Sequence, residues 1–200
     1  MDIDILIVAH PLDLNYFLSH AQKPLKKQSI YLAKMFLFSS LAIIGPCLGA
    51  DQLRLILRKT TQDAKKILFL GWCGGINVKK IGEIILARGA FKNLKMFLPN
   101  NSLLFELSSQ IPFFHRQGFI LSVENSQLPE EMFHFYKKLG IMAIDMETAT
   151  LYEFCIKNKI ETVSILMVSD IVNGKTGFTH PEFKKIRKTL LKWIIEKWLP

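Results

Sequence analysis

The stretch Ala143–Asp170, "AIDMETATLYEFCIKNKIETVSILMVSD", decides the fold class. It opens inside a short apolar run, "IMAIDM", of the length and composition of a buried strand. "ETATLYEFCIKNK" follows with helical spacing. "TVSILMVSD" is a second apolar run, rich in β-branched residues and again strand-like. Each strand ends on polar residues, Asp145 and Glu147 in the first and Ser169 and Asp170 in the second. Read locally, the first pair could be acids favoured by the dipole at a helix start, and Ser169 or Asp170 a helix cap; the alternative is a binding rim.

The same alternation extends outward. "IDILIVA", "SLAIIGP", "KKILFLG", "IGEIILARGA" and "GFILSVE" read as five further strands. "ADQLRLILRKT" and "LPEEMFHFYKKLG" have helical spacing, the second with a proline and two acids in its first turn. In "PEFKKIRKTLLKWIIEKWLP", Phe183, Ile186, Leu190, Leu191, Ile194 and Ile195 form an apolar stripe, with Lys184, Lys185, Lys188 and Lys192 off it. Several strands are apolar on both faces, which a covered sheet requires. The pattern predicts an α/β protein, a single domain over residues 1–200, with a central, mostly parallel or mixed twisted sheet flanked by helices. Residues 19–34 and 91–112 show no clear period. "GWCGG", after the third strand, reads as a tight turn or as a phosphate-cradling loop. It matches neither the dinucleotide fingerprint nor the P-loop.

Composition narrows the class. Half of the residues are apolar, which argues against disorder. The three cysteines, Cys47, Cys73 and Cys155, are far apart and outside any C-x-x-C pair. Buried, reduced thiols are expected, with neither a disulfide framework nor a structural metal site. The acidic start "MDIDILIVAH" lacks the basic flank of a signal peptide, and the longest uncharged stretch is too short to span a bilayer. A cytoplasmic protein is expected. The formal charge is +9, and much of it lies in the last helix. The plain reading is a solvated basic face; the alternative is weak contact with an anionic membrane surface. No RNA-binding signature of interleaved basic and aromatic residues is present, so no nucleic-acid partner is expected.

In sheets of this kind ligands bind beyond the carboxyl ends of the strands. Asp13, Gly71–Gly75, Glu124 and Asn125, Asp145–Glu147 and Ser169–Asp170 all fall there. The span from Met146–Glu147 to Ser169–Asp170 resembles the signature of the nucleoside phosphorylase/nucleosidase superfamily. "LFLGWCGGINVKKIGEIILA" is similar to that family's glycine turn and following strand, and "IIGPCLGADQL" to its earlier turn. "FTHPEFKKIRKTLLKWI" resembles the closing helix of methylthioadenosine/S-adenosylhomocysteine nucleosidases.

The resemblance implies cleavage of a purine N-glycosidic bond, with no cofactor and no metal. Asp170 would hand a proton to the purine N7, and typical gains from such acids are on the order of 10²–10⁴-fold. Glu147 would orient the ribose through its hydroxyls, with Met146 as an apolar floor. Gly74, Gly75, Trp72, Ser169 and the backbone of Glu124 would line the base and sugar.

Phosphorylases of this family bind phosphate with arginines; here Phe69 and Trp72 stand at the best-matched positions, and only Arg54, Arg58 or Arg88 could substitute. Water is therefore the expected nucleophile. Hydrolases activate it with a glutamate shortly after strand one, where Asp13 falls; Asp13 otherwise reads as a helix N-cap, and His10 is a second candidate nearby. Base stacking is expected from Trp72, Phe91 or Phe97. The expectation is a hydrolase releasing adenine from a 5′-substituted, methylthioadenosine-like nucleoside, acting as a homodimer. The alternatives are a purine nucleoside phosphorylase, a hopanoid- or futalosine-type nucleosidase, and a degenerate nucleoside-binding homologue without activity.

Overall fold

The computed structural model describes residues 4–61, 63–124, 130–172, 177 and 179–199. The elements run β1 (Ile5–Val8), α1 (Pro11–His20), β2 (Lys26–Ile30), β3 (Ala33–Leu37), β4 (Ala42–Gly45), α2 (Ala50–Thr60), β5 (Lys66–Gly75), β6 (Ile84–Lys92) and β7 (Lys95–Phe97). They continue α3 (Asn101–Gln110), β8 (Arg116–Ser122), α4 (Glu130–Lys138), β9 (Ile141–Asp145), α5 (Thr148–Asn158), β10 (Glu161–Ile171) and α6 (Pro181–Trp198). All seven strands expected from the apolar runs are present, so the α/β class holds.

The strands form one mixed sheet in the order β10-β6-β8-β9-β5-β1-β4-β3-β2, with β7 beside β6. β10 also pairs with β5, so β10, β6, β8, β9 and β5 close into a ring. β1, β4, β3 and β2 extend from that ring as an open sheet. Parallel pairing joins β1 to β4 and β5, β5 to β10, and β8 to β6 and β9.

The alternation along β1 shows how the sheet is covered. Ile5 and Ile7 face one core with Leu53, Ile56 and Leu57 of α2 and Leu151 and Tyr152 of α5. Leu6 and Val8 face the other, with Phe17 of α1, Leu103 and Leu107 of α3, and Leu190 and Ile194 of α6. Buried Tyr152 ties α5 to the ring: its hydroxyl donates to the Ala87 carbonyl at 2.7 Å and accepts the Ser164 N–H at 3.1 Å. The stripe on α6 packs as its spacing predicts, with Phe183, Leu190, Leu191 and Ile194 buried and the four lysines exposed. All three cysteines are buried and free. No helix among the described residues is long and apolar enough to cross a membrane.

Two expectations need correction. "GWCGG" is not a turn. It is the second half of β5, paired with β10 from Leu166↔Gly71 to Ile171↔Gly75 with one irregularity between Val168 and Asp170. Glycines suit a strand that bends round a closed ring. Asp13 is not a helix cap. His10 caps α1, its Nδ1 accepting the Leu12 N–H at 3.2 Å, and Asp13 lies in the first turn.

Candidate active site

The carboxyl ends of β1, β5, β8, β9 and β10 surround a cavity of about 180 Å³. Trp72, Gly74, Met146, Glu147, Ser169 and Asp170 line it, together with Ala9, His10, Leu48, Cys73, Val123, Ile144 and Asp145. Two strand ends separated by a whole helix in the sequence thus meet in one place. They meet because β5 pairs with both β10 and β9.

Asp170 is positioned by an irregularity. The β5–β10 ladder runs Val168↔Cys73 and then Asp170↔Gly74, so Ser169 is an extra residue, a bulge that re-aims the strand end. The Ser169 hydroxyl donates to Asp170 Oδ1 at 2.6 Å and lies 3.3 Å from the Cys73 carbonyl. The other oxygen, Oδ2, rests above Gly74: a Cβ built there would lie 3.2 Å from it, and as close to Val172 and Ile144. The absent side chain at Gly74 is what gives the carboxylate this seat.

Glu147 is buried, at 6% exposure, although it lies one residue before a helix. The Gly49 N–H donates to its Oε1 and the Met146 N–H to its Oε2 at 3.1 Å. Gly49 precedes the first turn of α2 with φ at +88°, a conformation that favours glycine. The N-terminus of α2 is thereby turned toward the carboxylate, where its dipole favours negative charge. Burial nevertheless dominates. Together with the charge of Asp145 it pushes the Glu147 carboxyl up to about 8. Asp145 is also raised by burial, against hydrogen bonds from the Ser122 hydroxyl at 2.5 Å, the Thr148 N–H at 2.8 Å and the Thr148 hydroxyl. Ser122 in turn accepts the Ala149 N–H at 2.9 Å, so Asp145 and Ser122 fasten the start of α5 to β8.

The structure does not bring Asp13 to the cavity wall. Its side chain is 1% exposed. Arg187 Nε of α6 donates to Oδ1, and the Trp72 indole N–H donates to Oδ2 at 2.7 Å. Burial raises the Asp13 carboxyl, opposed by the charge and hydrogen bond of Arg187. The Trp72 ring, fixed by that bond, stacks on His10 with centroids 3.6 Å apart and planes within 8°. Burial, then the Arg187 charge, lower the pKa of His10. With Nδ1 accepting from Leu12, the neutral ring carries its proton on Nε2.

Gly75 and Glu124 are also absent from this wall. A Cβ on Gly75 would stand 2.2 Å from Val78, so that glycine serves close packing of the following turn. Glu124 is exposed and lines a neighbouring cavity. Asn125 lies outside the described residues. Of the expected stacking aromatics only Trp72 is at the site. Phe91 lines the neighbouring cavity, and Phe97 packs on the core.

Arg54 pairs with Asp51, Arg88 lies over the Phe119 ring, and Arg58 lines a separate pocket beside Thr61. Sequence reasoning missed Gly49 and Arg187. Both act across long separations, and Arg187 reads locally as one more cation of a basic helix.

No lysine or arginine is among the described residues lining the cavity. Nor do three His, Cys, Asp or Glu side chains converge there or elsewhere among the described residues as a metal-holding group. What remains is three carboxylates, of Asp145, Glu147 and Asp170, with an imidazole and a hydroxyl on an apolar frame, suited to proton transfer and to gripping a polyol.

Part of the sequence and the whole fold match known proteins. The family model described as the phosphorylase superfamily matches residues 109–192. Among curated relatives, a DeoD-type purine nucleoside phosphorylase of Exiguobacterium sibiricum is 24% identical over 64% of this chain, and the match spans 63% of that relative's length. Among solved structures, the Helicobacter pylori 5′-methylthioadenosine/S-adenosylhomocysteine nucleosidase superposes with a TM-score of 0.81 at 17% identity, covering 98% of this chain and 97% of its own. The Toxoplasma gondii purine nucleoside phosphorylase gives 0.81 at 16% identity, covering 98% and 90%. The chain therefore shares the fold of these two solved structures, and the phosphorylase superfamily model matches the segment that supplies Glu147 and Asp170.

Proposed function

We propose that the protein is a nucleosidase that hydrolyses the N-glycosidic bond of an adenine nucleoside, releasing adenine and a ribosyl product. The observation that carries this reading is the shared cavity of Asp170 and Glu147. In the reaction the N9–C1′ bond breaks, its electron pair leaves with the base, and water oxygen bonds to C1′ as it releases a proton to solvent. Asp170, with Oδ1 held by Ser169, presents Oδ2 to the purine N7, where a proton neutralises the departing base. Glu147 accepts hydrogen bonds from the ribose hydroxyls, and Met146 lies against the sugar.

The absence of a lysine or arginine among the described lining residues favours water over phosphate as the nucleophile. Arg187, the cation nearest in the network, is already paired with Asp13. Asp13 has both oxygens engaged, so we assign it a positioning role, anchoring the Trp72–His10 wall. A bond that breaks with oxocarbenium character asks little of its nucleophile, so the main catalytic work falls to the acid at the base.

The test is adenine release from methylthioadenosine and adenosine, with and without inorganic phosphate. Equal turnover in both conditions supports hydrolysis, and strict phosphate dependence overturns it. Asp170→Asn should lower turnover roughly 10²-fold or more with an unchanged melting temperature. Near-normal activity in that variant removes Asp170 from the mechanism.

A further inference from the structure

Beside the active-site cavity lies a larger one, about 580 Å³, walled by the β6–β7 hairpin, β8, β9 and α4. Phe91, Phe119, Leu121, Tyr136 and Ile141 form its apolar body, with Leu139 on its wall. The two cavities share one residue, Val123, at the carboxyl end of β8. On the wall of the larger cavity Leu94 is 93% exposed and Leu139 59%, beside the polar Lys92, Asn93 and Glu124. Exposed apolar clusters of this kind mark binding surfaces more often than inert ones.

The position of Val123 indicates which end of a substrate would face the second cavity. Glu147 is held by Gly49, next to Leu48, so the sugar end of the first cavity lies toward the turn before α2. Asp170, Gly74 and Ile144 mark the base end. The register Asp170↔Gly74, Gly74↔Ile144 and Ile144↔Leu121 carries the wall from Asp170 across to β8, and Val123 follows two residues later. In the closed ring β8 and β10 are both neighbours of β6, so Asp170 and Val123 face the first cavity from two of its walls. With N7 at Asp170 and N9 toward the sugar, the six-membered ring points to Val123 and the second cavity.

Resting on the nucleosidase reading above, we propose that the second cavity is a subsite for an apolar alkyl or aryl group carried on the exocyclic nitrogen of the base, so that the substrate class includes N6-substituted adenine nucleosides.

The experiment compares calorimetric binding of adenine and N6-benzyladenine, and rates of base release from adenosine and N6-benzyladenosine, in the full chain and in Leu139→Lys. Leu139 lies outside the catalytic cavity, and its substitution places a charge on the wall of the second. The expected result is N6-benzyladenine binding about tenfold or more tighter than adenine. Most of that gain should vanish in Leu139→Lys, with adenine binding and adenosine cleavage unchanged. Equal or weaker binding of the benzyl compound overturns the subsite while leaving the nucleosidase reading intact. So does a gain indifferent to Leu139→Lys. Failure of every base and nucleoside to bind or react overturns both.

Discussion

Replacing Glu147 with glutamine tests the electrostatics of the site without relying on any substrate. The carboxyl is buried, and its pKa is raised from the ordinary glutamate range to about 8 by burial and by Asp145. In the unfolded chain it titrates near 4.5. Between those values the folded protein holds a proton that the unfolded chain has released, so stability must fall as pH rises. The contribution is complete below about pH 4.5, declines through neutrality, and is gone above about pH 8. One proton corresponds to a slope of at most about 1.4 kcal/mol per pH unit.

Glutamine does not titrate, so Glu147→Gln should lack that slope. It should also lose one acceptor, because both carboxylate oxygens receive backbone N–H groups, from Gly49 and Met146, and the amide offers only one oxygen. A donor facing a donor in a buried site costs about 1–3 kcal/mol. The variant should therefore be less stable than the parent near pH 5, and since the parent's loss of up to about 1.4 kcal/mol per pH unit overtakes that deficit, the two curves should cross before about pH 8. Urea unfolding from pH 5 to 9 reads this directly. Asp145 titrates against Glu147, so the difference in slope belongs to the pair. Parallel stability curves would refute the reasoning.

Gly74→Ala places a Cβ 3.2 Å from Asp170 Oδ2 and 3.1 Å from Val172, so base release should fall at least tenfold for a stability loss of about 1–3 kcal/mol, compared by turnover and melting temperature. Arg187→Met leaves the buried Asp13 without its cation and should destabilise the fold by about 3–5 kcal/mol. The loss should be smaller toward acid pH, where Asp13 can take up a proton; a loss independent of pH in denaturant titrations would contradict the pairing.

Local pattern carried the architecture where it was strong. The seven apolar runs became strands, and "ADQLRLILRKT" became α2 residue for residue, because burial on both sheet faces leaves an unmistakable hydrophobic record. β2 left no such record: four of the five residues in "KKQSI" are exposed, so no alternation marks it as a strand. α3 is capped by Asn100, whose side chain accepts the Leu103 N–H at 2.9 Å, a short helix hidden in a stretch without strong period. "GWCGG" was misleading because glycines that mark turns elsewhere here permit close approach of Phe69 and Val78 within a curved strand. At the site, strand-end logic brought Glu147, Asp170 and Trp72 to one place. It could not show that Asp13 would be enclosed, since Arg187 reaches it from the far end of the chain.

The open part of the sheet ends at β2, which pairs only with β3 and leaves one side without a neighbour among the described residues. Such a margin is a template on which a second molecule can add its own strand. Lys26 and Lys27 sit there in solvent, and ammonium groups brought side by side would repel an incoming copy. Part of the positive charge of this protein thus keeps molecules apart at high concentration, a duty quite separate from whatever the remaining cations do.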